Sequence, residues 1–152
     1  MIVSLASPAD WARVRAIRLR ALADTPDAFT ATLAQEAPQP DAFWIGRAAR
    51  EVVSTFLASV DGEDLGLCVL APYGDDPRTL GLFSVWVAPT ARGRGVGDAL
   101  LRAVVDRARS LSATRVLLDV GDHNVAAIAL YTRHGFRPTG PRSFPARAHH
   151  RA

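Results

Sequence analysis

The spacing of apolar and polar residues predicts an alternation of helices and strands along the whole chain. Residues 2–5 (IVSL) form a short first strand. Ser7-Pro8-Ala9-Asp10 then reads as a helix start: Ser7 caps, Pro8 suits the first turn, and Asp10 suits its positive end. Trp11, Val14, Ile17, Leu19 and Leu22 supply the apolar surface of a helix that runs to about residue 23, where Thr25-Pro26-Asp27 breaks it. A second short helix is expected near residues 41–50, carrying Phe43 and Trp44. Residues 52–60 and 65–72 read as strands around the turn Asp61-Gly62-Glu63-Asp64, a hairpin. Residues 80–87 (LGLFSVWV) form another strand after a turn-rich break at 73–78. A helix over 95–111 buries Val96, Leu100, Ala103, Val104, Ala108 and Leu111, with Asp98, Arg102 and Asp106 on its wet face. Residues 114–120 are the next strand and 124–134 the next helix, ended by Gly135. Residues 136–139 begin a further strand, and the tail 141–152, with no apolar alternation, is expected to be irregular.

The order is β-α-α-β-β-β-α-β-α-β. Three consecutive strands suggest an antiparallel meander, and the strand–helix–strand unit over 80–120 forces one parallel pair with a right-handed crossover. The expected fold is therefore α/β (α+β), a mixed central sheet flanked by helices. At 152 residues it forms one domain, 1–152, able to bury about 68–70% of its unfolded surface.

Composition narrows the chemistry. Hydrophobic residues make up 49%, which fits a globular chain, and no apolar run approaches a membrane span. The N-terminus lacks a basic segment ahead of an apolar one, so a cytoplasmic location is expected, away from membranes. All 18 basic residues are Arg, which excludes a P-loop lysine and a Schiff-base lysine. The net charge of +3 favours anionic partners. The Arg residues are dispersed without a stacking motif, so no nucleic-acid partner is expected. Cys68 stands alone in an apolar strand with no adjacent His, and two His in the tail make no site, so no metal is expected.

One loop carries a clear ligand signal. Arg92-Gly93-Arg94-Gly95-Val96-Gly97-Asp98 follows a strand and opens a helix. Helix-start amides have no internal partner and sit at the positive end of the helix dipole. Glycines let those amides converge on one anion, and Arg92 and Arg94 add charged donors, an arrangement suited to a diphosphate. A tight turn that binds nothing is the bland alternative. Further on, Asn124 and Tyr131 lie seven residues apart, close to two helical turns, so they share a face. Asn124 also suits a helix cap, and Tyr131 also suits a core. Asp119 interrupts the apolar run Arg115-Val116-Leu117-Leu118-Asp119-Val120, where a carboxylate is unfavourable unless paired or used.

With these residues the chain resembles the GNAT superfamily of N-acetyltransferases. Its motif Arg/Gln-x-x-Gly-x-Gly/Ala is matched by Arg92, Gly95 and Gly97. Val87-Ala88-Pro89 upstream and Asn124, Ala127, Leu130-Tyr131 and Gly135-Phe136 downstream are similar too. The resemblance implies acetyl-CoA as co-substrate, with amides from Gly93 to Asp98, including Gly95, Val96 and Gly97, on its pyrophosphate. It implies that Val85, Trp86 and Val87 pair their backbone with the pantetheine arm in a gap beside the strand over 114–120. It implies Tyr131 as the general acid for the departing thiolate and Asn124 as a cofactor contact. Asp119 stands five residues before Asn124, similar to the base of the bacterial ribosomal-protein alanine N-acetyltransferases, and is one methylene shorter than their glutamate. The implied reaction is acetyl transfer to an amine by direct attack, and the alternative is a coenzyme A-binding sensor without turnover. The acceptor, a small molecule or a protein N-terminus, is expected against Phe29, Glu36 and Trp44, with Glu36 facing an ammonium group. The tail departs from the family's usual closing strand, which leaves the acceptor site to be completed by a partner chain in a homodimer.

Overall fold

The computed structural model describes residues 1–139 and 147–151. Its elements follow the predicted order. Strand β1 (Ile2–Leu5) leads into a 3-10 turn at Pro8–Asp10, in which the Ser7 amide and hydroxyl both donate to Asp10 Oδ2. Helix α1 (Trp11–Asp24) follows. The loop after it holds a one-turn helix, α2 (Leu33–Glu36), that apolar periodicity could not reveal. Its start was written in Thr32-x-x-Gln35: the Gln35 amide donates to Thr32 Oγ1, and the Thr32 amide to Gln35 Oε1. Helix α3 (Asp41–Ala48) completes this half.

Strands β2 (Ser54–Val60), β3 (Glu63–Pro72) and β4 (Thr79–Val87) form the meander. The β2–β3 turn is tighter than expected: Val60 pairs with Glu63 across Asp61 and Gly62, both at positive φ, as a two-residue hairpin turn requires. Helix α4 (Val96–Ser110), strand β5 (Arg115–Gly121), helix α5 (Val125–Arg133) and the short strand β6 (Arg137–Pro138) come next.

The tail expectation needs correction. Arg147–Arg151 is strand β7, paired antiparallel with β5 on one side and β6 on the other. Ladder hydrogen bonds from two neighbours set this strand, and they are invisible to a search for apolar alternation. Residues 140–146, also within the predicted irregular tail, lie outside the described residues.

The sheet runs β1-β2-β3-β4-β5-β7-β6, and only the β4–β5 pair is parallel. Helices α1 and α3 cover one face and α4 the other. The α4 stripe is Val96, Leu100, Leu101, Val104 and Ala108, while Leu111, expected inside, is exposed at the helix end. A Cβ on Gly66 of β3 would sit 2.8 Å from Val96 and 3.1 Å from Leu100, so the bare backbone there lets α4 lie close to the sheet. None of the helices among the described residues is long and apolar enough to cross a membrane.

Candidate active site

Two features of β4 open the sheet. Its register against β3 shifts between Leu67, opposite Trp86, and Val69, opposite Phe83, which places a bulge at Ser84 and Val85. Ser84 takes the left-handed conformation, φ 57°, uncommon for a residue other than glycine. Meanwhile the parallel pairing with β5 covers only Thr79–Arg115, Leu80–Val116 and Gly81–Leu117. Beyond Gly81 the strands part. The Ala88 amide bonds the Leu65 carbonyl, so alternation turns the backbone groups of Val87 and Val85 away from β3 and into the gap. Val85, Trp86 and Val87 thus lie beyond the last β4–β5 pair among the described residues. Sequence reasoning missed Ser84, because nothing in LGLFSVWV distinguishes a bulge from a regular strand.

At the far end of the gap lies the glycine loop. Gly93 and Gly95 have φ of 75° and 82°, and an added Cβ would meet nothing within 4 Å, so conformation and not space demands glycine there. Gly95 caps α4, whose first amides, from Val96 onward, have no acceptor within the helix. These features fit a diphosphate: exposed loop glycines, a helix amino end and Arg94 at the surface. At Gly97 an added Cβ would come 3.1 Å from Leu130 of α5, so Gly97 serves the close approach of α4 and α5.

Three predicted ligand residues have side chains engaged elsewhere. Arg92 donates to the Val87 carbonyl at 3.0 Å and to Asp24 Oδ2 at 2.6 Å. Asp24, at the end of α1, also accepts from the Trp86 indole at 3.0 Å. The Trp86 hydrogen bond, with Arg92 after it, holds the Asp24 carboxyl below the usual carboxylate range. Arg92 therefore clamps the loop to α1 and β4. Asp98 turns to α5, bonding His134 Nε2 at 2.8 Å and Arg133 at 3.3 Å, and not to Arg102 as its helix spacing suggested. Only its backbone amide remains for an anion. Asn124 Oδ1 accepts from the Ala127 amide at 3.1 Å, which makes its carbonyl oxygen the α5 cap.

Tyr131 and Asp119 belong to opposite faces of the sheet. Tyr131 is 8% exposed, its ring 6.0 Å from Phe136. Burial, with the Cys68 thiol as a second influence, pushes its phenol above the ordinary value. Cys68 is itself fully buried, and burial pushes its thiol up too, away from any nucleophilic role. It faces the α4 side, in alternation with Leu67 and Val69, which line a cavity on the α1–α3 side. Asp119 takes the other face. A Cβ on Gly81 would strike the rings of Phe83 and Tyr73, and Gly81 is the register partner of Leu117, so Leu117 and Asp119 share that side. Tyr73 stacks on Phe83 at 6.2 Å. Burial first, then the negative charge of Asp119 and a hydrogen bond with it, raises its phenol pKa. Arg115, one candidate partner for Asp119, bonds Thr79 instead, at 3.0 Å. Asp119 is exposed, which removes the desolvation argument that first drew attention to it.

The acceptor wall differs from expectation at Glu36. It is buried, and Arg18 grips it through both carboxylate oxygens at 2.7 and 3.1 Å, with Arg47 at 3.4 Å. Burial alone would raise its pKa, but the two guanidiniums hold it below the ordinary carboxylate value. A carboxylate so occupied does not await an ammonium group. Phe29 lies under Arg18 at 5.3 Å, and Trp44, 2% exposed, lies within 5.3 Å of the Arg47 guanidinium. Both therefore support this ion-pair cluster, which the sequence could not show because Glu36 lies 18 residues from Arg18 and 11 from Arg47.

Comparisons with known proteins bear on the family and the fold. An IAA acetyltransferase of Azospirillum brasilense is 32% identical over 108 residues, 70% of this chain and 62% of that protein. The chain spans about two fifths to three fifths of the length of the curated relatives it matches. A ribosomal-protein-alanine N-acetyltransferase from Brucella melitensis shares the fold at TM-score 0.76 and 23% identity, covering 100% of this chain and 99% of the other. A putative acetyltransferase from Salmonella typhimurium, solved with its cofactor acetyl-CoA, reaches TM-score 0.82 at 19% identity, covering 99% and 92%. The profile of the Acetyltransferase (GNAT) family matches residues 18–136, from the arginine that holds Glu36 to the phenylalanine beside Tyr131, and the chain belongs to that family.

Proposed function

We propose that this chain transfers the acetyl group of acetyl-CoA to an amine by direct attack, with both substrates bound together. The observation that carries the proposal is the gap between β4 and β5, which opens beyond Gly81 on the strand that leads to the amino end of α4. Acetyl-CoA supplies the activated acyl group, and the residues of the chain do the rest. Amides of the 93–98 loop hold the diphosphate, and Val85 and Val87 pair with the extended arm. The Val85 amide donates to the thioester oxygen as charge builds there. Asp119, directly or through water, takes the proton that the amine nitrogen sheds as the new C–N bond forms. Tyr131 gives its phenolic proton to the sulfur as the C–S bond breaks, leaving an amide and a free thiol. Its raised pKa keeps that proton in place through the neutral range.

Tyr131→Phe tests the reading. It keeps the ring against Phe136 and removes only the hydroxyl. Thiol release from acetyl-CoA should fall at least tenfold, within the roughly 10²–10⁴ span of general-acid loss, while coenzyme A affinity by calorimetry is unaltered. Wild-type turnover in the Phe variant overturns the acid assignment. Coenzyme A binding without turnover of any amine by the wild-type chain replaces the enzyme with a sensor.

A further inference from the structure

We propose that the cavity on the α1–α3 face receives an oxyanion of the acceptor, a carboxylate next to the reacting amine, so that the acceptor is a small amino acid or a close analogue. The inference rests on the acetyltransferase reading and names the substrate class of the same site. The cavity has a volume of about 210 Å³, and its lining includes Arg18, Trp44, Arg47, Arg50, Phe83 and Ser84. That volume lies below the roughly 300 Å³ at which pockets for drug-sized ligands begin, and suits a compact molecule better than a peptide chain.

The charges on its walls do not balance. Arg18, Arg47 and Arg50 are among the lining residues, and Glu36 is the one carboxylate paired with them among the described residues, which leaves the wall with an excess of positive charge. The Arg18 side chain is only 14% exposed, so solvent screens it poorly. A cationic acceptor entering here meets like charge, and an anionic one completes the cluster.

Ser84 connects this cluster to the chemistry. Its Oγ accepts from Arg18 Nη1 at 2.8 Å, so its own proton is left to donate. Ser84 is also the bulge residue directly before Val85, whose amide faces the gap. A carboxylate held by Arg18 and Ser84 therefore lies beside the thioester end of the gap. An amine carried on the adjacent carbon projects toward it.

The test measures thiol release from acetyl-CoA with a set of small α-amino acids, each matched with its carboxamide, and with a linear polyamine. At least one amino acid should be acetylated with kcat/KM about tenfold or more above its carboxamide and above the polyamine, as expected for a charge-assisted contact. Arg47→Gln, at a side chain with 36% exposure, should narrow that ratio without unfolding the chain. Equal or higher kcat/KM for the carboxamides or the polyamine overturns the subsite and leaves the transferase intact. If no amine is acetylated, calorimetry of the same pairs with coenzyme A present still decides. Binding of the carboxylate form alone keeps the subsite while the transfer reading fails, and binding of neither form overturns the subsite.

Discussion

Replacing Glu36 by Gln separates two roles for that residue. As a buttress it neutralises Arg18 from inside the fold; as an ammonium receptor it would be a spectator of stability. Breaking a buried ion pair by removing one partner typically costs about 3–5 kcal/mol, since the remaining charge stays desolvated. Arg18 keeps its bond to Ser84 and its stacking on Phe29 in the variant, which argues for the low end of that range. Arg47 is more open to water and adds at most about 1 kcal/mol, as exposed pairs do. The expected loss is about 3 kcal/mol, or about 6–12 °C in Tm for a chain of this size. Differential scanning calorimetry measures it at neutral pH. The double variant Glu36→Leu/Arg18→Met, which removes both charges, should recover most of the loss. A Tm within 1 °C or so of wild type for Glu36→Gln, together with a raised KM for cationic acceptors, refutes the buttress and restores the ammonium role.

Gly95→Asp imposes φ 82° on a side chain and sets a negative charge at the α4 amino end. Coenzyme A affinity by calorimetry should weaken by about 2 kcal/mol or more with far-UV circular dichroism unchanged, and equal affinity refutes the loop assignment. Asp119→Asn should lower the rate throughout the pH range, including where the amine is already neutral, with Tm unchanged; a loss matched by lower Tm assigns Asp119 to structure. Stability itself should depend on pH at both extremes. The carboxyls of Asp24, Glu36 and Asp98 are held below their ordinary values of 3.8 to 4.5, so their contribution is present above that range and is lost as pH falls below it through their lower folded values. Tyr131 is displaced the other way, so stability is held below its ordinary value of 10.0 and lost as pH rises beyond it. A Tm that stays flat down to pH 3 contradicts the ion-pair assignments.

The sequence made the order of elements and the family legible, because both rest on local patterns. Glycine spacing at residues 93–97 and the Asn124–Tyr131 interval are readable within one turn or two of helix. What escaped detection depends on contacts between distant segments. Arg18, Glu36 and Ser84 form a cluster spanning 66 residues, and no local pattern joins them. Strand β7 was missed for the same reason, since its partners lie at Leu117–Gly121 and Arg137–Pro138. Asp119 was singled out on a local argument, a charge in an apolar strand, but the strand alternates and its outward face carries Arg115, Leu117 and Asp119.

The short β4–β5 seam makes the sheet two plates. One plate is β1 to β4 and the other is β5, β7 and β6, each laced along its own length, with three residue pairs stitching them together. Backbone stiffness is therefore discontinuous. Backbone hydrogen bonding is thinnest at the seam, so least of it must be disturbed there for the two plates to shift. An extended molecule laid in the open half adds stitches to the one line where the sheet lacks them, so the rigidity of the whole is set by what lies in the seam.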